Sequence, residues 1–232
     1  MPMKASVTPL RIPSSSGTSI SGVLRQPEAP RACFVFAHGA GAGMNHPFMA
    51  DLAAALEARG IATLRFQFPF MEQGSKRPDN PAVAQHAIRA AVDEACARLP
   101  GVALFAGGKS FGGRMTSQAQ ADVPLPQVRG IIFVGFPLHP AGKPATDRAA
   151  HLQGVGVPML FLQGTRDALA DLALMRQTTE AIGPLATLHV VDGADHAFHV
   201  LVRSGRKDTD VIEELAETVS RWVTGIVVTS RP

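Results

Sequence analysis

The stretch Val102-Ala103-Leu104-Phe105-Ala106-Gly107-Gly108-Lys109-Ser110-Phe111-Gly112-Gly113-Arg114 decides the fold. Five apolar residues run into a glycine-rich turn that carries one serine, and an amphipathic stretch follows at once. This is a buried strand, a sharp corner and a helix. So tight a corner crowds its flanks, and the positions two before and two after Ser110 are glycines, Gly108 and Gly112. The pattern is G-x-S-x-G, which lifts a serine hydroxyl clear of a sheet and aims a helix N-terminus at whatever it meets. In a chain with 22 glycines, the pattern arises by chance in roughly one case in ten. Its surroundings therefore carry the argument.

Working outward, apolar runs recur at Cys33–Ala37, Ile61–Phe66, Val102–Ala106, Ile131–Val134, Met159–Leu162 and Thr187–Val191. They are short and apolar on both faces, as buried parallel strands are. Helical patterns lie between them. Phe48, Leu52, Ala55 and Leu56 mark one face, between Pro47 and Gly60. Ala84, Ile88, Ala91, Val92, Ala95 and Leu99 mark a second, opened by Asn80-Pro81 and stopped by Pro100-Gly101. Leu172, Met175, Thr179 and Ile182 mark a third, and Val211, Leu215, Val219 and Trp222 a fourth. Residues 5–25 read as an antiparallel edge hairpin around Pro13-Ser14-Ser15-Ser16-Gly17. The alternation predicts a single α/β domain over residues 1–232, with a mostly parallel twisted sheet and helices on both faces. Sites in such sheets lie past the carboxyl ends of the strands. Two long connections, 67–80 and 136–151, follow strands and are expected to overhang that edge.

Composition sets the limits. The chain has 232 residues, 46% hydrophobic and 18% charged, enough for a core without staples. The net charge of +3 is scattered, which gives nucleic-acid binding no support. Cys33 and Cys96 show no metal or redox spacing and read as small core residues. Met1-Pro2-Met3-Lys4-Ala5-Ser6 has no apolar signal core, and no run approaches the roughly 20 apolar residues of a membrane span. The expectation is a cytoplasmic protein, a monomer or homodimer, with no membrane association.

A serine hydroxyl needs a base, and the base needs an orienting carboxylate. Asp167 lies just after the strand-like run Met159–Leu162, and Asp171 and Asp192 stand in reserve. The plainer reading of Asp167 is a cap on the helix of Leu172 and Met175. His196 follows the last strand in a glycine-containing loop; an imidazole titrates near ~6.5 and suits proton exchange at neutral pH. His199 is its competitor. Two backbone amides should hold developing negative charge: Phe111, and Ala40 or Gly41 from the loop His38-Gly39-Ala40-Gly41-Ala42-Gly43. His38 reads as a brace for that loop. Phe68, Phe70, Met71, Phe136 and Phe198 are candidates to line an apolar substrate pocket. Lys109 and Arg114 read as a solvated or salt-bridged pair, or as a positive rim for anionic substrates. No metal-ligand spacing appears among the eight histidines.

Two other classes fail on single residues. Gly108-Lys109-Ser110 ends like a phosphate loop, but Ala103 stands where its first glycine belongs. Gly39-Ala40-Gly41-Ala42-Gly43 is close to a dinucleotide fingerprint, but Met44 replaces the last glycine.

With serine, acid and histidine in this order, the chain resembles the α/β-hydrolase superfamily, and within it the small, nearly capless dienelactone-hydrolase-like serine hydrolases. The segments 38–43, 66–70, 107–114 and 136–140 are similar to a bacterial branch related to the testis-expressed and chromatin-complex hydrolase-like proteins of animals. The resemblance implies Ser110, Asp167 and His196 as a catalytic triad and implies no cofactor. True dienelactone hydrolases carry cysteine in place of the serine, so that substrate is not expected. The expectation is hydrolysis of small, accessible carboxylic esters through an acyl-enzyme. A thioesterase or small-amide hydrolase would use the same residues, and a catalytically quiet protein-interaction module is the alternative of another class.

Overall fold

The computed structural model describes residues 6–14 and 18–229. Eight strands form one sheet: β1 (Ser6–Pro13), β2 (Ser19–Gln26), β3 (Ala32–Ala37), β4 (Ile61–Phe66), β5 (Ala103–Lys109), β6 (Val128–Val134), β7 (Met159–Gly164) and β8 (Ala186–Val191). Their order is β1-β2-β4-β3-β5-β6-β7-β8. β1 and β2 pair antiparallel, as do β2 and β4; every later pairing is parallel. The edge hairpin is present, with the turn residues 15–17 outside the described residues, as are residues 1–5.

The helices are α1 (Pro47–Glu57), α2 (Pro69–Glu72), α3 (Pro81–Arg98), α4 (Phe111–Asp122), α5 (Leu172–Ile182) and α6 (Asp208–Thr229). Their ends follow local chemistry. Pro47 and Pro81 sit in the first turns of α1 and α3, where a missing N–H costs nothing. Asn80 accepts the Val83 amide at 3.0 Å, and Asp171 accepts that of Leu174 at 3.0 Å, each satisfying an orphan donor. Asp171, and not Asp167, caps α5. α2 lies inside the connection 67–80, and a 3₁₀ turn at Asp147–Gly154 begins inside the connection 136–151 and runs past its end; both are too short to show a period in sequence.

The sheet separates two cores. One packs Leu64, Phe66, Phe133 and Phe161 against Ala87, Val92, Met115 and Met175 of α3, α4 and α5. The other packs Phe34, Phe105 and Leu160 against Leu52, Leu215 and Val219 of α1 and α6. Burying each such side chain stabilises the fold by about 1.5–3 kcal/mol, and this holds the strand ends in register. β8 departs from expectation. It reads as apolar on both faces, yet it is the sheet's edge, and only Val191 is buried. Cys33 is buried and Cys96 partly so, both as free thiols; burial pushes the Cys33 thiol up to about 12.

Candidate active site

The corner between β5 and α4 carries Ser110 at φ 50° and ψ −113°, a left-handed conformation unusual for a side-chain-bearing residue. Its neighbours show why glycine is required. A Cβ on Gly108 would lie 2.3 Å from the Ala37 carbonyl oxygen, and one on Gly112 would lie 2.6 Å from that of His38. The turn is thus pressed against the end of β3, and any side chain would force them apart.

The His196 Nε2 stands 2.8 Å from the Ser110 Oγ, and its Nδ1 stands 2.7 Å from the Asp167 Oδ2. A carboxylate has only acceptors, so Nδ1 carries the proton of the neutral ring and Nε2 is left to accept. The carboxylate is well held: Asp167 is 7% exposed, Oδ1 accepts the Leu169 amide at 2.8 Å, and Oδ2 also accepts from the Gln163 side chain. The structure therefore brings together the three residues named from sequence. It sends their competitors elsewhere. His199 is exposed and pairs with Asp208 at 2.9 Å. Asp192 lies 3.4 Å from the Thr165 hydroxyl.

Phe111 opens α4, so its N–H is one of the first-turn amides that have no carbonyl a turn earlier. Facing it is the loop that follows β3. A Cβ on Gly39 would lie 3.7 Å from the Ser110 Cβ. Ala40 and Gly41 line the same cavity as Ser110. The loop is braced from outside. His38 is fully buried; its Nε2 accepts the Phe68 amide at 3.0 Å, and its Nδ1–H donates to the Gly39 carbonyl at 2.7 Å. Gln67 accepts the Met44 amide at 2.9 Å, and the buried Arg65 donates to the Met44 carbonyl at 2.8 Å. Burial lowers the basicity of His38 and keeps it a neutral strut.

The cavity beside Ser110 has a volume of about 290 Å³ and is mostly apolar. Gly39 to Ala42, Phe48 and Met49 form one wall; Leu169, His196 and Ala197 form another. None of the lining residues comes from the long connections 67–80 and 136–151, and the five candidate pocket residues sit elsewhere. Phe68 and Phe70 are 0% and 2% exposed and pack behind Phe111 at ring separations of 5.4 and 6.2 Å. Phe136 packs on Phe133 and Phe161. Met71 is partly buried against the same core. Phe198 is buried and stacks on Phe48 at 5.7 Å, one layer behind the cavity wall. In each case the side chain gains more by joining the adjoining core than by standing in a wet cleft.

Lys109 also differs from expectation. Its ammonium is turned inward and donates to the His196 carbonyl, 5.3 Å from the centre of the Phe198 ring. Burial lowers its pKa to about 8, against the opposing pull of Asp167 and Asp195. Arg114 is partly buried, with no partner for its buried Nε. Among the described residues no cluster of three or more His, Cys, Asp or Glu is placed to hold a metal. No helix of the described residues is long and apolar enough to cross a membrane.

A protein of Mycobacterium tuberculosis named "Putative phosphoribosyl transferase" is 30% identical over 211 residues, which cover 88% of this chain and 43% of that protein. The chain thus spans under half the length of the curated relatives it matches. A dienelactone hydrolase from Anabaena variabilis superposes with a TM-score of 0.78 at 19% identity, over 96% of this chain and 98% of that one. An α/β serine hydrolase without a lid from Xanthomonas campestris does so with a TM-score of 0.71 at 22% identity, over 96% of each. The strand order, the serine at the corner after β5 and a match over residues 30–224 lead to one conclusion: the chain belongs to the family described as "Alpha/beta hydrolase domain".

Proposed function

We propose that this protein hydrolyses carboxylic esters through an acyl-enzyme on Ser110. The observation that carries the reading is the 2.8 Å contact between the His196 Nε2 and the Ser110 Oγ, with Nδ1 held by Asp167 at 2.7 Å. His196 takes the hydroxyl proton as the Ser110 oxygen bonds to the ester carbonyl carbon. The carbonyl oxygen becomes an anion facing the Phe111 amide and that of Ala40 or Gly41. Collapse breaks the bond to the alcohol oxygen, which leaves with the proton from His196. Water then attacks the acyl group with the same base, and Ser110 is restored. Asp167 holds the imidazole in the required tautomer and offsets its transient charge. A cavity of about 290 Å³ with apolar walls favours short acyl groups.

A fluorophosphonate probe tests this directly. One equivalent should attach at Ser110, and p-nitrophenyl acetate should turn over faster than the dodecanoate. Rates rising steadily with chain length would remove the short-acyl reading. Absence of both labelling and turnover would leave an interaction module. Thioesters or small amides would react by the same steps, and a panel of all three classes ranks them. The name of the mycobacterial relative supplies a second reading, phosphoribosyl transfer, which predicts no covalent attachment at Ser110.

A further inference from the structure

Lys109 takes no part in those steps, yet its side chain is held inside the site. It is the last residue of β5, next to Ser110 in the chain. Its Nζ crosses to the main-chain carbonyl of His196, and the Phe198 ring stands 5.3 Å away. At Gly135, directly after β6, an added Cβ would lie 3.0 Å from Nζ and 3.5 Å from the imidazole. One bare glycine therefore lets the ammonium and the ring share a wall. Lys109 lines the same cavity as Ser110 and His196. Sheltering a cation is costly, and a leucine or methionine would fill such a slot more cheaply if packing were its only purpose.

Resting on the esterase reading, we propose that Lys109 is a positioning residue for the reaction: it ties the main chain of His196 to the end of the strand that carries the nucleophile, and so fixes the imidazole against the Ser110 hydroxyl. The groups that face it are Asp167 from the loop after β7, and Asp195 and His196 from the loop after β8. The lowered pKa of about 8 leaves Lys109 charged through the neutral range in which the base must work.

The test is kcat and KM on p-nitrophenyl acetate for Lys109→Met, Lys109→Gln and Lys109→Arg. The kcat should fall about tenfold in Lys109→Met with KM little changed, since a loosened His196 impairs the step and not binding. Lys109→Arg, which keeps a cationic donor for the His196 carbonyl, should recover much of the wild-type kcat. Lys109→Gln serves if the methionine variant fails to fold. A kcat that stays within about twofold of wild type in both uncharged variants, while the probe still labels Ser110, overturns the proposal and leaves the esterase reading standing. A wild-type protein that the probe does not label removes the reading beneath it.

Discussion

Two loops meet at the cavity, and they are built in opposite ways. Residues 39–43 after β3 present backbone, and as Gly39-Ala40-Gly41-Ala42-Gly43 they carry almost no side chains of their own. Their bracing comes from elsewhere: Gln67 and Arg65 grip Met44, and the buried His38 links the Phe68 amide to the Gly39 carbonyl. Residues 192–200 after β8 present an imidazole and are held mainly by side chains. Asp195 accepts the Ala197 and His199 amides at 2.8 and 3.0 Å, Asp208 accepts that of Val200 at 3.0 Å, and Lys109 clamps the His196 carbonyl. A loop that offers N–H groups must be bare, and its order is borrowed. A loop that offers a titrating ring supplies much of its own order.

The difference sets a ranking of effects. Ser110→Ala or His196→Ala should lower kcat/KM on p-nitrophenyl acetate by about 10⁴ or more; a loss under tenfold would disconnect these residues from the chemistry. Asp167→Asn keeps the shape but lets an amide present a donor to Nδ1, and a loss of about 10³–10⁴ is expected. On the bare loop, Ala40→Pro deletes one N–H and should cost about 10²–10³ in kcat. If Gly41→Pro produces that loss and Ala40→Pro does not, the second amide belongs to Gly41. Gln67→Ala removes only a brace, so a fall of about tenfold in kcat is expected, with KM nearly constant. His199→Ala should change kcat/KM less than about threefold, because the ring faces Asp208 and not Ser110. Its pairing raises the pKa of His199 and lowers that of Asp208. The stability it adds is present below the ordinary histidine pKa and fades as pH rises through the raised one. Urea midpoints of wild type and His199→Ala should therefore draw together between mildly acidic and alkaline pH.

Legibility in the sequence follows the same division. Gly108 and Gly112 could be read because backbone proximity excludes every other residue, and such positions leave a mark in one dimension. The order Ser110, Asp167, His196 could be read because each residue follows an apolar run that ends at one edge of the sheet. The bracing side chains left no such mark. Arg65, Gln67 and Lys109 are common residue types, and their purpose lies in partners 21, 23 and 87 positions away. The aromatic residues misled for a related reason. A phenylalanine in a connection looks available to a ligand, and nothing local reveals that Phe68, Phe70 and Phe136 turn back into the core. The structure also divides the two nearby carboxylates by role: Asp171 caps α5 at the Leu174 amide, and Asp167, named ahead of it from sequence, meets His196.

The corner at Ser110 has a last consequence. Its left-handed torsion is imposed by the backbone contacts of Gly108 and Gly112 and not by the hydroxyl. Deleting the oxygen leaves that geometry intact, and the Ser110→Ala protein keeps the shape of the chamber while losing the power to empty it. On the esterase reading such a protein is a snare: purified from its native cells, it should retain the uncut ester that the wild-type protein would cleave, and mass spectrometry could read that compound directly.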